Sequence, residues 1–384
     1  MAKNTAAGKQ DNDMTKILIL INSDDGLYPY RRELIAKLLE DHHVVICHRR
    51  GRYTDQLIDM GCEYIPYEFD SRGTDPVKDI KLCCFYRKLI REVKPDLVIT
   101  YSIKSNVYGG MACRFEKVPY AANITGLGAA FQKAGLLKTL VIWLYRIGLK
   151  KAGVVFFENA GNQKLFIDCG IVSKDRTCLL NGAGVNLEHF SVADYPVGTT
   201  TRFLFVGRIM KEKGIDELFD TMRLLISEGV DCSLDVLGPL TEEEYKETVD
   251  RFTKDGWLHY QGMQSDIRPY VASSHCLVLP SWHEGMSNAV LECAASGRPV
   301  ITSNIHGCME AVEDGVTGFL CDKQNTKSLY EAMKRFTNLP YEKRKAIGLA
   351  GRRHMENVFD KRDVVNKTVD MLHRLAVKEP GHEV

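Results

Sequence analysis

Glu284 and Glu292 are separated by the seven residues Gly285-Met286-Ser287-Asn288-Ala289-Val290-Leu291. The apolar run Cys276-Leu277-Val278-Leu279-Pro280 reads as a strand, and Ser281-Trp282-His283-Glu284-Gly285 as a short loop after it. Ser287 and Asn288 both suit a helix N-cap, and Gly297 followed by Pro299 suits its end. Glu284 therefore stands at the mouth of a strand-to-helix turn, with Glu292 a turn or so inside the helix. The amides of Met286, Ser287 and Asn288 would leave the helix start, where partial positive charge gathers. A carboxylate beside an anion site suits a ligand with phosphates to neutralise and hydroxyls to hold. Glutamate pairs at this spacing occur in any long chain, so the placement carries the argument and the spacing alone does not.

The elements that must position these residues are legible as alternating patterns. Ile17-Leu18-Ile19-Leu20-Ile21 is a continuous apolar run, as in a parallel strand covered on both faces. A helix pattern from about Tyr30 to Leu39 follows, then strand patterns at 43–47, 63–65, 97–100, 120–124 and 154–157. A second series follows the Gly/Pro/Thr-rich stretch 195–201, with strands at 202–206, 233–237, 258–260, 276–279 and 299–302. The expected class is α/β, two Rossmann-like doubly wound domains facing across a cleft. The expected division is a flexible tail 1–15, a first domain 16–185, a linker 186–201 and a second domain 202–358. A last helix, about 361–377, folds back toward the first domain within 359–384.

Composition bounds the class. The 384 residues are ample for two domains. A 45% apolar and 26% charged composition is that of an ordinary globular protein. No stretch reaches the ~18 to 20 apolar residues of a membrane span, and the polar start lacks a signal peptide's apolar core. The twelve cysteines lie scattered in apolar runs without a CxxC pair, which fits reduced core thiols. Residues 1–185 carry 27 Lys and Arg against 20 Asp and Glu, and residues 186–384 carry 24 against 30. The basic front half is expected to meet something anionic; no nucleic-acid partner is expected.

Other candidate groups also fall at strand ends. After Val206 comes Gly207-Arg208-Ile209-Met210-Lys211-Glu212-Lys213-Gly214, where Arg208 and Lys213 can serve as cations for a diphosphate. Gly238-Pro239 follows the strand ending at Leu237, and Gly262-Met263 the one near Tyr260. Glycine there lets a planar base approach the backbone, or simply makes a turn; both readings stay open.

The segments GRIMKEKG, LPSWHEGMSNAVLECAASGRPVITSNIHGCMEAVEDGVTGFL and LLNGAGVNLEHF resemble the retaining glycosyltransferases of family 4, which have the GT-B fold. The likeness runs from Lys16 to about Phe359. It implies that Arg208 and Lys213 grip the donor diphosphate, that Glu292 holds the ribose hydroxyls and that Glu284 contacts the transferred sugar. Gly285, Met286, Ser287 and Asn288 would lie against sugar and phosphates, with Gly207, Gly238 and Met263 completing the nucleotide site. The segments Thr100 to Asn106 and Asn123 to Gly128 resemble a subgroup that extends lipid-linked glycans, often from UDP-N-acetylhexosamines. Many family members place a donor-touching histidine after this strand; here Thr125-Gly126 stands instead.

The resemblance implies acceptor contacts at Gly26, Lys104, Asn106, Thr125 and Gly126, Lys104 being either a cation for the acceptor's diphosphate or a plain surface lysine. The stretch 131–152 has five cations, among them Lys133 and Arg146, no acid, and leucines with Trp143 between them. It fits a helix resting on an anionic membrane surface, or a buried core helix with solvated ends. The expected protein is cytoplasmic and peripheral on the inner face of the cell membrane, taking a UDP-sugar donor and a polyprenyl-diphosphate-linked saccharide. No general-base pair announces itself and Glu284 has a binding role, so front-face substitution with retention is expected. Fixed cations make a metal unnecessary, and no cofactor is expected; Asp11-Asn12-Asp13 lies in the polar tail. A GT-B epimerase and a non-catalytic sugar-nucleotide subunit remain as alternatives. A nicotinamide dehydrogenase is disfavoured because the first strand runs into Asn22-Ser23-Asp24-Asp25-Gly26 rather than G-x-G-x-x-G.

Overall fold

The computed structural model describes residues 15–69, 75–128, 131 and 135–376. The polar start with Asp11-Asn12-Asp13, Lys133, and the tail after Ala376 lie outside the described residues.

The first half of the chain runs β1 (Thr15–Ser23), α1 (Tyr28–Leu39), β2 (His42–Arg49), α2 (Thr54–Asp59), β3 (Glu63–Pro66), α3 (Pro76–Val93) and β4 (Leu97–Tyr101). A π-helical turn over Ser105–Gly109 leads into α4 (Gly110–Glu116). Then come β5 (Tyr120–Ile124), α5 (Leu136–Gly148), β6 (Val154–Phe157), α6 (Ala160–Asp168) and β7 (Thr177–Leu179). The second half runs β8 (Thr201–Val206), α7 (Ile215–Ser227), β9 (Cys232–Leu237), α8 (Tyr245–Lys254), β10 (Leu258–Gly262), α9 (Arg268–Ser273) and β11 (Cys276–Leu279). It closes with α10 (Asn288–Ala295), β12 (Val300–Ser303), β13 (Gly318–Cys321), α11 (Thr326–Thr337), α12 (Tyr341–Val358) and α13 (Lys361–Ala376).

Two parallel sheets result, one ordered β3-β2-β1-β4-β5-β6-β7 and the other β10-β9-β8-β11-β12-β13. Their central strands are apolar on both faces and fully buried: Leu18 and Leu20 in one, Leu204 and Leu277 in the other, all at 0% exposure. Burying each such side chain stabilises the fold by about 1.5–3 kcal/mol. The strand order reverses beside β1 and beside β8, and ligands of doubly wound sheets bind at that reversal, outside the strands' carboxyl ends.

The chain divides into two compact units. The first comprises the described residues of Met1–Phe157, Asn162–Leu179 and Val365–Val384; the second comprises Glu158–Gly161 and Leu180–Val364. The boundary thus falls at Leu180, ahead of the linker read from sequence. Within the first unit, His373 of α13 meets His42 at 3.3 Å and Lys367 donates to the Leu179 carbonyl at 2.9 Å.

Candidate functional site

In the second unit β8 lies beside β11, with Leu204 opposite Leu277, so their carboxyl ends emerge as neighbours. The loop after β8 tightens into a 3-10 turn, Lys211–Lys213, and ends at Gly214 with φ 72°. A Cβ at Gly214 would lie 2.1 Å from the Pro280 carbonyl oxygen, so only glycine lets this loop sit against the end of β11. The outcome is an ion pair: Lys213 Nζ stands 2.5 Å from Glu284 Oε1. The Ser281 hydroxyl donates to the same oxygen at 2.8 Å. Both charged side chains are shielded, at 18% and 12% exposure. Arg208 is exposed, and no carboxylate pairs with it among the described residues. His283, beside Glu284, has its pKa lowered by burial, with Lys213 and Arg208 acting in the same direction and Glu284 against them.

Ser287 caps α10, its hydroxyl accepting from the Val290 amide at 3.4 Å. One expectation needs correcting here. The Ser287 amide is not open for a ligand, because it donates to the Gly307 carbonyl at 2.9 Å. The loop after β12 folds over the helix start, and Glu310 fixes it by accepting from the Gly307 amide at 2.7 Å. The Gly285 carbonyl likewise accepts from the Asn159 side-chain amide. Met286 is buried, while Asn288, on the first turn of α10, and Glu292, on its second, stay partly accessible.

Gly238 has φ 137°, and a Cβ there would lie 1.9 Å from the Gly207 carbonyl oxygen. The two glycines therefore let the ends of β8 and β9 touch, a backbone reason for Gly238 that the sequence did not reveal. Met263 follows at the end of β10 and is 57% exposed.

The first unit treats its candidates differently. Lys104 Nζ pairs with Asp79 Oδ1 at 2.9 Å, the two side chains 13% and 14% exposed, and the Tyr108 hydroxyl donates to the other Asp79 oxygen. Lys104 is thus a shielded ion-pair partner rather than a plain surface lysine. Asn106 is 1% exposed: it accepts from the Thr100 hydroxyl at 2.6 Å and donates to the Asn123 carbonyl at 2.8 Å. It braces the ends of β4 and β5, which corrects its reading as an acceptor contact. Gly26 and Thr125 are exposed, and Gly126 is partly so.

Sequence reasoning passed over Ser281, Asn159 and Arg298. Arg298 is 0% exposed and donates to four carbonyls outside its own neighbourhood: Val271, Ala193, Asp194 and Ala272. Arg298 is therefore scaffold, tying the start of β12 to the segments around Ala193 and Val271. Its proximity to Pro299 was the available signal, since the arginine precedes a buried strand.

Two doubly wound parallel units, with the Lys213–Glu284 pair at the strand reversal of the second, are the frame in which the chain is compared with known proteins. The chain matches the family described as glycosyl transferase 4-like over residues 16–159 and that described as glycosyl transferases group 1 over 200–338. It belongs to the family 4 glycosyltransferases of GT-B fold. It is similar to N,N'-diacetylbacillosaminyl-diphospho-undecaprenol alpha-1,3-N-acetylgalactosaminyltransferase of Campylobacter jejuni, 26% identical over 82% of this chain and 88% of that one. It is similar also to UDP-Gal:alpha-D-GlcNAc-diphosphoundecaprenol alpha-1,3-galactosyltransferase of Escherichia coli, 27% identical over 77% of this chain and 79% of that one. Among solved structures it resembles Anabaena HepE in complex with UDP and glucose, with a TM-score of 0.77 at 17% identity over 94% of this chain and 100% of that one.

Proposed function

We propose that the protein moves an N-acetylhexosamine-type sugar from UDP to a hydroxyl of a polyprenyl-diphosphate-linked saccharide, with retention of configuration. The observation that carries this is the pairing of Lys213 with Glu284 at the β8–β11 strand ends, with Arg208 exposed on the same loop as Lys213. Cations there neutralise the charge that develops on the departing UDP. The acceptor hydroxyl attacks from the face that UDP leaves, and a diphosphate oxygen takes its proton. Glu284 positions the sugar and Glu292 the ribose. Fixed cations supply the charge a metal would otherwise bring, so activity should persist in chelator.

The acceptor chemistry is supported by the two relatives, whose names carry diphospho-undecaprenol acceptors. Membrane contact is part of the proposal. Helix α5 turns Val141, Tyr145 and Gly148 inward and leaves Leu136 91%, Leu137 49%, Leu140 46% and Trp143 55% exposed. A fully buried helix would not show this face, which suits the headgroup region of an anionic bilayer. Arg146 is engaged by the Cys169 carbonyl, so Lys138, Lys150 and Lys151 are the described cations left to meet lipid. Among the described residues no helix is long and apolar enough to cross a membrane. A peripheral place on the cytoplasmic face of the membrane is part of the same proposal, supported by the exposed apolar face of α5.

The test is a panel of UDP-sugars offered with an undecaprenyl-diphosphate-linked saccharide, the product anomer being read by NMR. Transfer from a UDP-N-acetylhexosamine with retention is expected. Preference for a GDP-sugar, or release of free epimerised sugar alone, would overturn the reading.

A further inference from the structure

The structure places a second cationic site in the first unit, away from Lys104. A recess of about 920 Å³ opens beyond the carboxyl ends of β2 and β3. Arg49 and Arg50 enter it from the end of β2, and Lys78 and Lys81 from the first turns of α3, where a spacing of three residues sets them on one face. Glu68 is the one acid among its described lining residues. Asp55 already pairs with Arg50 at 2.5 Å, and Arg50 also lies over the Tyr64 ring at 5.9 Å. Arg49, Lys78 and Lys81 are exposed.

Tyr64, Tyr67 and Phe69 also line the recess, with Tyr67 almost wholly buried. The Tyr67 ring meets Phe69 at 5.6 Å and Phe85 at 6.2 Å, and Phe69 meets Phe85 at 5.2 Å. Phe85, which packs against Phe69 behind the recess, is four residues beyond Lys81 on α3. A cluster of exposed lysines alone would be an ordinary solvated face. Cations from two separate elements, gathered with aromatic rings at strand carboxyl ends, suit an amphiphile whose phosphates meet the cations and whose apolar or sugar portion meets the rings.

We propose that this recess binds the two adjacent phosphates of the lipid-linked acceptor, with Arg49 and Lys81 as principal contacts. The proposal rests on the acceptor class proposed above. It adds, to the acceptor contact expected at Lys104, a group of cations drawn from two elements of the first unit.

The test uses the full chain with UDP in excess to fill the donor site. Farnesyl diphosphate, farnesyl monophosphate and farnesol are titrated calorimetrically into the wild type and into the Arg49→Ala/Lys81→Ala double variant. The wild type should prefer the diphosphate, and the double variant should bind it about tenfold or more weakly, while farnesol binding stays unchanged. The pair Arg49→Lys/Lys81→Arg should restore most of the affinity, which a merely misfolded variant would not explain. Unchanged diphosphate affinity in the double variant overturns the site. So does a double variant that keeps farnesyl diphosphate but loses phosphatidylglycerol vesicles, since the recess would then serve bulk headgroups. A protein that binds farnesyl diphosphate through Arg49 and Lys81, yet transfers sugar to no diphospholipid, would refute the proposed reaction and leave the site standing.

Discussion

The two units share a fold and a strand order, yet spend their strand ends differently. In the second unit Arg208 is exposed, and Lys213 and Glu284 neutralise each other at the reversal point. In the first, Asn106 is buried between Thr100 and Asn123, while Lys104 and Asp79 form a shielded pair like that of Lys213 and Glu284. Polar residues at a strand end are therefore not equivalent. What separates site from scaffold is whether the partners a side chain already has could be replaced by a ligand. Glu284 on Lys213 is one carboxylate on one ammonium, which a phosphate can displace. Asn106 holds two buried groups that no ligand could reach without unfolding the strand ends.

The largest expected effect falls on the second unit. Lys213→Ala should slow sugar transfer by about 10²- to 10³-fold, measured as steady-state rates, with circular dichroism unchanged. Full activity would place the diphosphate elsewhere. Next comes the first unit's buried bracket. Asn106→Ala should cost about 2–3 kcal/mol in urea unfolding, because the Thr100 hydroxyl and the Asn123 carbonyl lose their partner in the core. A raised KM for acceptor with no loss of stability would return Asn106 to the site and blur the contrast.

A smaller, pH-dependent effect sharpens the scaffold side of the second unit. His275 is 4% exposed and its pKa is lowered to about 4, first by burial and then by Arg344, Arg298 and Arg202. The folded protein keeps this ring neutral, while the unfolded chain protonates it near 6.5. The unfolded state therefore binds more protons in that window, and stability falls as pH drops from 6.5 toward 4. His275 Nδ1 accepts from the Arg202 amide at 3.0 Å. Asparagine can keep that bond without titrating, so His275→Asn should flatten the acid limb of stability by about 1–3 kcal/mol. An unchanged limb in denaturation series across pH would exclude it.

The smallest effect is the most specific. Glu284 competes with a donor phosphate for Lys213, so Glu284→Gln should bind UDP about two- to fivefold more tightly while transferring sugar more slowly. Weaker UDP binding by calorimetry would mean that the ion pair organises Lys213 rather than occupying it.

Much of this was legible in the sequence. Central strands announced themselves as apolar runs, so β5, β6 and β11 begin where the patterns place them. The edge strands β7 and β13 escaped notice: Thr177–Leu179 has three residues, and Gly318–Cys321 begins with a glycine that a Cβ could not replace beside the Val300 carbonyl. Neither carries a long enough run to register as a strand. Lys213 and Glu284 do stand together, as loops after neighbouring strands must converge. Asn106 was misread because its partner lies far along the chain, Asn123 being 17 residues away; the Asp79 partner of Lys104, 25 residues away, was hidden for the same reason. Periodicity places a side chain on an element but does not say which distant group will satisfy it. The cationic recess escaped for the same reason, since Arg49 and Lys81 meet only once β2 and α3 are packed.

The most direct test of the central claim is a crystal structure with UDP bound. The diphosphate should lie within hydrogen-bonding distance of the Arg208 guanidinium and Lys213 Nζ, with the Glu284 carboxylate displaced from Lys213. A diphosphate seated elsewhere, with the Lys213–Glu284 pair intact, would contradict the account.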